Sequence, residues 1–292
     1  MNPMRKTVLI TGTSSGLGKT AAKHFAARGW NVVATMRTPS AEAELVGADG
    51  VLVTRLDVQD PDSIERAVAA GIARFGRIDA LVNNAGFGLF GLFEATPREK
   101  VLEQFEVNVF GVMDVTRALL PHFRRNNGGT IINVSSGAGV FTLPMMSLYC
   151  ASKFALEGLS ESLSYELAAV GIAVKLVEPG RVVSTNFGKR SGAEAAGNAV
   201  LAVYEPFAAR VSATFAALKA SRTATEEDVA QVIFAAATDG TDRLRYVATE
   251  EIKPWVKARR ETSETEYMAY MRSQLLPNSG ATGGDLGTEE HS

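Results

Sequence analysis

Cysteine is nearly missing from this chain: Cys150 is the only one in 292 residues. No internal disulfide can form, and the chain suits a reducing compartment. With no partner, Cys150 reads as a small packed residue. Histidine is almost as scarce, and His24, His122 and His291 form no ligand-spaced cluster, so no catalytic metal is expected. Net charge is small, at −2, which gives no electrostatic case for nucleic acid or an anionic membrane as partner. No apolar run approaches the roughly 18 residues of a membrane span. Residues 1–7 lead straight into a strand-like segment, leaving no room for a signal peptide, so the cytoplasm is the expected location. What remains, 46% hydrophobic and 21% charged residues, is the composition of an ordinary soluble domain with material for a large core.

Apolar runs of strand length recur at 7–11, 31–36, 51–56, 80–83, 130–134 and 173–177, with a short one at 244–248. Segments with helical spacing stand between them, at 16–28, 61–75, 97–125 and 149–170, then 226–238 and 250–276. Continuous apolar strands alternating with helices predict an α/β fold of the Rossmann type. It is doubly wound, with a mostly parallel seven-stranded sheet covered by helices on both faces. Pro61 and Pro97 suit first helical turns, with Asp60 and Thr96 as N-caps and Gly171 as a helix stop. Residues 1–276 are expected to form one domain. Within it, 181–224 break the rhythm and read as a substrate lid, a usual role for so long a connection. Residues 277–292 are polar and Gly-rich and read as a disordered tail.

The turn after the first strand, Thr11-Gly12-Thr13-Ser14-Ser15-Gly16-Leu17-Gly18, opens the first helix. That is where backbone N–H groups and a helix N-terminus meet a dinucleotide pyrophosphate. Gly18-Lys19-Thr20 resembles the end of a triphosphatase phosphate loop, but that motif needs glycine at position 13, where Thr13 stands. Lys19 is therefore expected to face solvent. The second strand ends without an acidic residue to hold the adenosine ribose. Arg37 stands there instead and suits a 2′-phosphate, so NADP(H) is expected in preference to NAD(H), which remains possible.

Tyr149 and Lys153 are four residues apart, hence on one face of a helix. An ammonium beside a phenol favours the phenolate and lowers its pKa from about 10. Such a phenol can exchange a proton with an alcohol or ketone. Ser136, thirteen residues before Tyr149, offers a hydroxyl to the substrate oxygen.

Taken in order, these motifs resemble the short-chain dehydrogenase/reductase family. The resemblance rests on Gly12/Gly16/Gly18, Leu56-Asp57-Val58, Asn83-Asn84-Ala85-Gly86, Asn108, Asn133-Val134-Ser135-Ser136, Tyr149-x-x-x-Lys153 and Pro179-Gly180. It implies Tyr149 as general acid/base. Lys153 would tune the phenol and bind the nicotinamide ribose, and Ser136 would stabilise the substrate oxygen. Asn108 would position a water in a proton relay. Asp57 and Val58 would receive the adenine, and Asn83, Ala85 and Gly86 would line the cofactor. Pro179, Gly180 and Val182 would bind the cofactor, with Ser184 or Thr185 reaching the nicotinamide carboxamide. The chain lacks the short Asp-Gly-Gly ending of tetrameric reductases and carries a charged helical extension instead. It looks more like the 17-beta-hydroxysteroid and retinol dehydrogenase branch, in which a dimer is favoured over a tetramer.

The implied reaction is hydride transfer between NADP(H) and a carbonyl or secondary alcohol. Phe87, Leu89, Phe90, Phe93, Phe141, Leu143, Met145 and Met146, with Phe187 and Tyr204 from the lid, bracket the catalytic residues in sequence. Their character predicts an apolar small-molecule substrate. The competing reading is a catalytically silent dinucleotide-binding sensor.

Overall fold

The computed structural model describes residues 5–182, 202–220 and 224–276, the side chains of 219 and 220 excepted. Seven strands, β1 Thr7–Ile10, β2 Asn31–Met36, β3 Val51–Arg55, β4 Ala80–Asn83, β5 Gly129–Val134, β6 Ile172–Glu178 and β7 Arg245–Val247, form one sheet. Its order is β3-β2-β1-β4-β5-β6-β7, and every pairing is parallel. The expected doubly wound Rossmann fold is therefore observed. The order reverses between β1 and β4, which places a crevice at their C-terminal ends.

Strand alternation explains why both faces are covered. Val8 and Ile10 point into one apolar layer with Val32, Val82, Ile132 and Val177, whereas Leu9, Val33, Leu81 and Ile131 point into the other. Helices α1 (Gly16–Ala27) and α7 (Glu226–Thr238) close the first layer through Phe25 and Ile233. Helices α2 (Pro61–Phe75) and α4 (Gly111–Arg125) close the second through Ile64, Leu119 and Phe123. Each such fully buried Leu or Phe contributes about 2 kcal/mol over its exposed state.

Asp60 caps α2 as expected, accepting a hydrogen bond from Ser63 N at 3.1 Å, with Pro61 in the first turn. Thr96 does not cap its helix. Its hydroxyl donates to Leu92 O at 2.8 Å, closing the preceding turn, and Pro97 takes the cap position. The helix expected over 97–125 is broken: α3 (Arg98–Phe105) passes into a π turn over Glu106–Phe110 before α4. There Gly111 N–H donates to Glu106 O, one residue further back than in an α-helix. The expected helix over 250–276 is two: α8 (Lys253–Glu261) and α9 (Glu264–Leu275), separated where Ser263 caps α9 with a capping box on Glu266.

Helix α5 (Ser147–Ala168) lies before β6, and Gly171 follows it as the expected stop. Within the segment expected to be a lid, α6 covers Glu205–Ala220. Ser184, Thr185 and Phe187, like the expected tail, lie outside the described residues. Among the described residues, no helix is long and apolar enough to cross a membrane.

Candidate active site

The first part of the site is the turn between β1 and α1. Gly12 has φ +72°, which L side chains avoid, and a Cβ there would come within 2.9 Å of Ala85 Cα. A Cβ on Gly18 would lie 2.3 Å from Gly12 O and 2.4 Å from Asn84 Nδ2. Asn84 Nδ2 donates to Thr11 O at 2.9 Å and Gly12 O at 3.2 Å, so the carbonyls of the turn are tied back to the end of β4. Helix α1 has no side-chain cap at Ser15 and no acid in its first turn. Its free N–H groups and partial positive charge thus fit an anion such as a pyrophosphate. Ser14 is exposed, and Ser15, Gly16 and Leu17 are half-buried around it. Thr13 is buried, donating to Thr35 O at 3.1 Å, so its side chain braces the turn.

Lys19 is not the solvent-facing residue expected. It pairs with the buried Glu42 and with Glu44, each at 3.0 Å, pinning the loop after β2 to α1. Arg37, just past β2, is exposed. Asp57 is half-buried beyond β3, accepting from Gln59 N at 3.2 Å. Val58 is buried against α4: a Cβ on Gly111 would sit 2.7 Å from Val58 Cβ.

Asn83 departs from its expected lining role. Its side chain is buried and donates to Thr116 Oγ1 at 3.1 Å and Asn133 Oδ1 at 2.9 Å, while Asn133 donates to Ser160 Oγ at 2.8 Å. It belongs to a polar ladder beneath the site, because β4 ends with that side chain under α4. Ala85 is half-buried, and Gly86 is exposed beside the reactive group. A Cβ on Gly86 would lie 3.2 Å from Asn108 Oδ1 and 3.8 Å from Lys153 Nζ.

The second part is carried by β5, the π turn and α5. Tyr149, Ser152 and Lys153 form the buried face of α5. Ser136 Oγ accepts from Ala138 N at 3.1 Å and is hydrogen-bonded to the Tyr149 phenol. Ser135, its neighbour, is buried with an unpartnered Oγ. Lys153 Nζ donates to Val134 O at 2.9 Å and stands 5.9 Å from the centre of the Tyr149 ring. Asn108 sits in the π turn. Its Oδ1 accepts from Phe87 N at 3.1 Å, and its Nδ2 donates to Phe87 O at 2.8 Å and Ser152 Oγ at 3.1 Å.

The expected depression of the Tyr149 pKa is not seen here. Burial pushes the phenol well above its ordinary value, and the Ser136 hydrogen bond only partly offsets that. Burial also pulls the Lys153 ammonium down to about 8, against the attraction of Glu157. The phenol is therefore held neutral, as a proton donor, with a hydroxyl beside it and a cation on its own helix. This arrangement can protonate an oxygen as negative charge develops on it. Ser135→Ala should keep most activity and Ser136→Ala should lose about a hundredfold in kcat, read by steady-state kinetics.

Three contributors, Gln104, Glu94 and Phe215, were missed; Phe90 and Tyr204, which meet two of them, were expected. Gln104, fully buried on α3, donates to Phe87 O at 2.6 Å and accepts from Leu89 N at 2.8 Å. It stands four residues before Asn108, and a polar pair at that spacing on an apolar helix face is a readable signal. Tyr204 donates to Glu94 Oε2 at 2.9 Å, and Phe215 on α6 meets Phe90 at 5.8 Å between ring centres. Both tie residues 204–215 to the loop after β4. Of the expected apolar wall, Phe87 and Leu89 are buried, Met146 packs on Tyr149, and Phe93 is exposed. Phe141 is not on that wall: it packs edge-on to Trp255, 5.1 Å away, inside the C-terminal cluster. Leu143 and Met145 line an apolar cavity of about 570 Å³ with Cys150, Phe154, Met271 and Leu275. Pro179 O accepts from Gly137 N at 2.8 Å, so the turn after β6 is joined to the Ser136 turn, and Val182 forms an isolated bridge with Ala224. Gly180 N donates to Thr249 Oγ1 at 3.0 Å.

Comparison with known proteins agrees with this geometry. The short chain dehydrogenase family model matches residues 6–196. An uncharacterized oxidoreductase of Schizosaccharomyces pombe is 37% identical over 241 residues, covering 82% of this chain and 99% of that protein. Mouse 17-beta-hydroxysteroid dehydrogenase type 1 is 34% identical, covering 93% of this chain and 82% of that one. The crystal structure of a short-chain dehydrogenase/reductase from Burkholderia phymatum in complex with NAD superposes with TM-score 0.75 at 27% identity, covering 89% of this chain and 95% of that chain. The chain belongs to the short-chain dehydrogenase/reductase family of oxidoreductases.

Proposed function

We propose that this protein transfers hydride between NADP(H) and an apolar carbonyl or secondary alcohol, with Tyr149 as general acid/base. The observation that carries the reading is the buried Tyr149 phenol, hydrogen-bonded to Ser136 and one helical turn from Lys153. A bound nicotinamide supplies or accepts the hydride. In reduction, Tyr149 donates its proton to the substrate oxygen. Ser136 donates a hydrogen bond to the same oxygen as charge gathers there. Lys153 holds the nicotinamide ribose and stabilises the phenolate left behind. Asn108 keeps the Phe87 main chain and Ser152 in register beside Lys153. The uncapped start of α1 and the Gly12–Gly18 turn hold the pyrophosphate.

The NADP preference rests on Arg37, exposed at the end of β2 where an acid would select NAD. Arg37→Ala should weaken NADPH by about tenfold and leave NADH unchanged, checked by fluorescence titration of both. Equal losses for both cofactors, or none, would remove Arg37 from this role. The apolar substrate is supported by Leu143 and Met146 packed against the cluster of Ala138, Tyr149 and Cys150, and by the hydroxysteroid for which the mouse relative is named. A cytoplasmic site of action fits the single cysteine. Turnover of NADPH with a panel of ketones, aldehydes and secondary alcohols tests the reading. NADPH binding without any turnover would favour the silent sensor.

A further inference from the structure

Behind Lys153 lies a buried ionic cluster that the roles above do not use. Glu157 follows Lys153 by four residues on α5, so the two side chains share a face one turn apart. Both residues are only 6% exposed. Glu157 Oε2 accepts from Arg245 Nε at 2.9 Å, whereas Oε1 is buried without a hydrogen-bond partner. The stem of Glu157 also packs under the turn that carries Ser136. A Cβ on Gly139 would lie 3.0 Å from Glu157 Cγ and 2.9 Å from Ser135 Oγ.

A second carboxylate completes the cluster. Glu178, fully buried at the end of β6, accepts from Arg260 Nη2 at 2.6 Å and lies 3.6 Å from Arg245 Nε. Arg245 and Arg260 lie outside the residues matched by the family model. Arg260 belongs to α8, in the C-terminal extension, which also braces the turn after β6 through Thr249 and Glu251.

A buried ammonium whose hydrogen-bond partner is the Val134 carbonyl tends to lose its proton. An opposite charge one turn away opposes that loss. Two buried carboxylates would repel each other and be costly without cations, and Arg245 and Arg260 supply them. We propose that Glu157 is a positioning residue that keeps the Lys153 ammonium charged, with Arg245 and Arg260 fixing the carboxylates from the C-terminal region. This rests on the role given above to Lys153. The titratable and charged groups around Lys153 are Tyr149 and Glu157 on its own helix. Around Glu157 they are Glu161, Glu178, Arg245 and Arg260. The Ser136 turn and the π turn contribute no charge beside them beyond the exposed Glu106.

Glu157→Gln keeps the shape and removes the charge. In the intact chain without cofactor, a nitrogen-15 NMR titration of Lys153 Nζ, assigned with Lys153→Met, should move down by about one pH unit in Glu157→Gln. It should stay in place in Glu161→Gln, whose half-exposed carboxylate shares Arg245. The alkaline limb of the kcat/KM profile should move with it. An unmoved Lys153 titration in Glu157→Gln would overturn the proposal. Absence of turnover in the unaltered protein would overturn the oxidoreductase reading instead, since the titration needs no turnover. Where Glu157→Gln does not fold, Glu157→Met decides by the same titration: Lys153 should again move down, and an unmoved Lys153 overturns the proposal.

Discussion

Tyr149→Phe should lower kcat by about a thousandfold while leaving NADPH affinity near that of the unaltered protein. The substitution removes one oxygen. The ring keeps its packing on Ala138, Leu143 and Met146, and the backbone of α5 is untouched. What disappears is the proton donor and the partner of Ser136. The phenol is buried and held neutral, so no solvent acid stands ready at the same point. Stopped-flow reduction of a ketone, with NADPH binding followed by fluorescence, separates the two effects. Retention of half the activity would mean that Tyr149 does not supply the proton.

The second large effect is expected at the glycine turn. Gly18→Ala should abolish measurable NADPH binding and lower the melting temperature. Its Cβ would meet Gly12 O at 2.3 Å and Asn84 Nδ2 at 2.4 Å, contacts that real side chains do not make. The first is backbone, and the second is an amide already bonded to Thr11 O and Gly12 O. Neither can yield without moving the phosphate end away from β4. Overpacking of this kind costs about 1–3 kcal/mol in stability, and more in a site built on close approach. Gly158→Ala is the matched control. Gly158 is exposed on α5 with nothing near its missing Cβ, so alanine should raise stability by up to about 1 kcal/mol. Differential scanning calorimetry and NADPH titration of both variants check the pair. Normal NADPH binding by Gly18→Ala would contradict the role given to this turn.

The sheet was readable because most of its strands are short Val-, Ile- or Leu-rich runs bounded by turn residues. The runs at β2 and β4 fall at the expected residues because both faces of those strands are buried. The split of the helix over 97–125 was not readable. No proline or glycine pair marks residues 106–110, and the π turn follows from packing Gln104 and Asn108 against the Phe87–Leu89 main chain. Asn83 was placed correctly along the chain but not in direction. Its partners Thr116, Asn133 and Ser160 come from elements brought together only by the fold. The same limit hid the cluster at Glu157, whose cation is 88 residues away. The Tyr149 environment shows a different limit. Four-residue spacing puts Lys153 on the right face, but spacing carries no information on burial, and burial dominates the phenol's titration.

The central claim is hydride transfer from the nicotinamide with Tyr149 donating the proton, and isotope transfer tests it most directly. The protein is incubated with NADPH carrying deuterium at both C4 positions of the nicotinamide and an apolar ketone, and the product alcohol is analysed by mass spectrometry. The account predicts one deuterium on the carbinol carbon with the unaltered protein, and almost none with Tyr149→Phe over the same time. Tight NADPH binding with no labelled alcohol from any ketone, aldehyde or reverse alcohol reaction would contradict it.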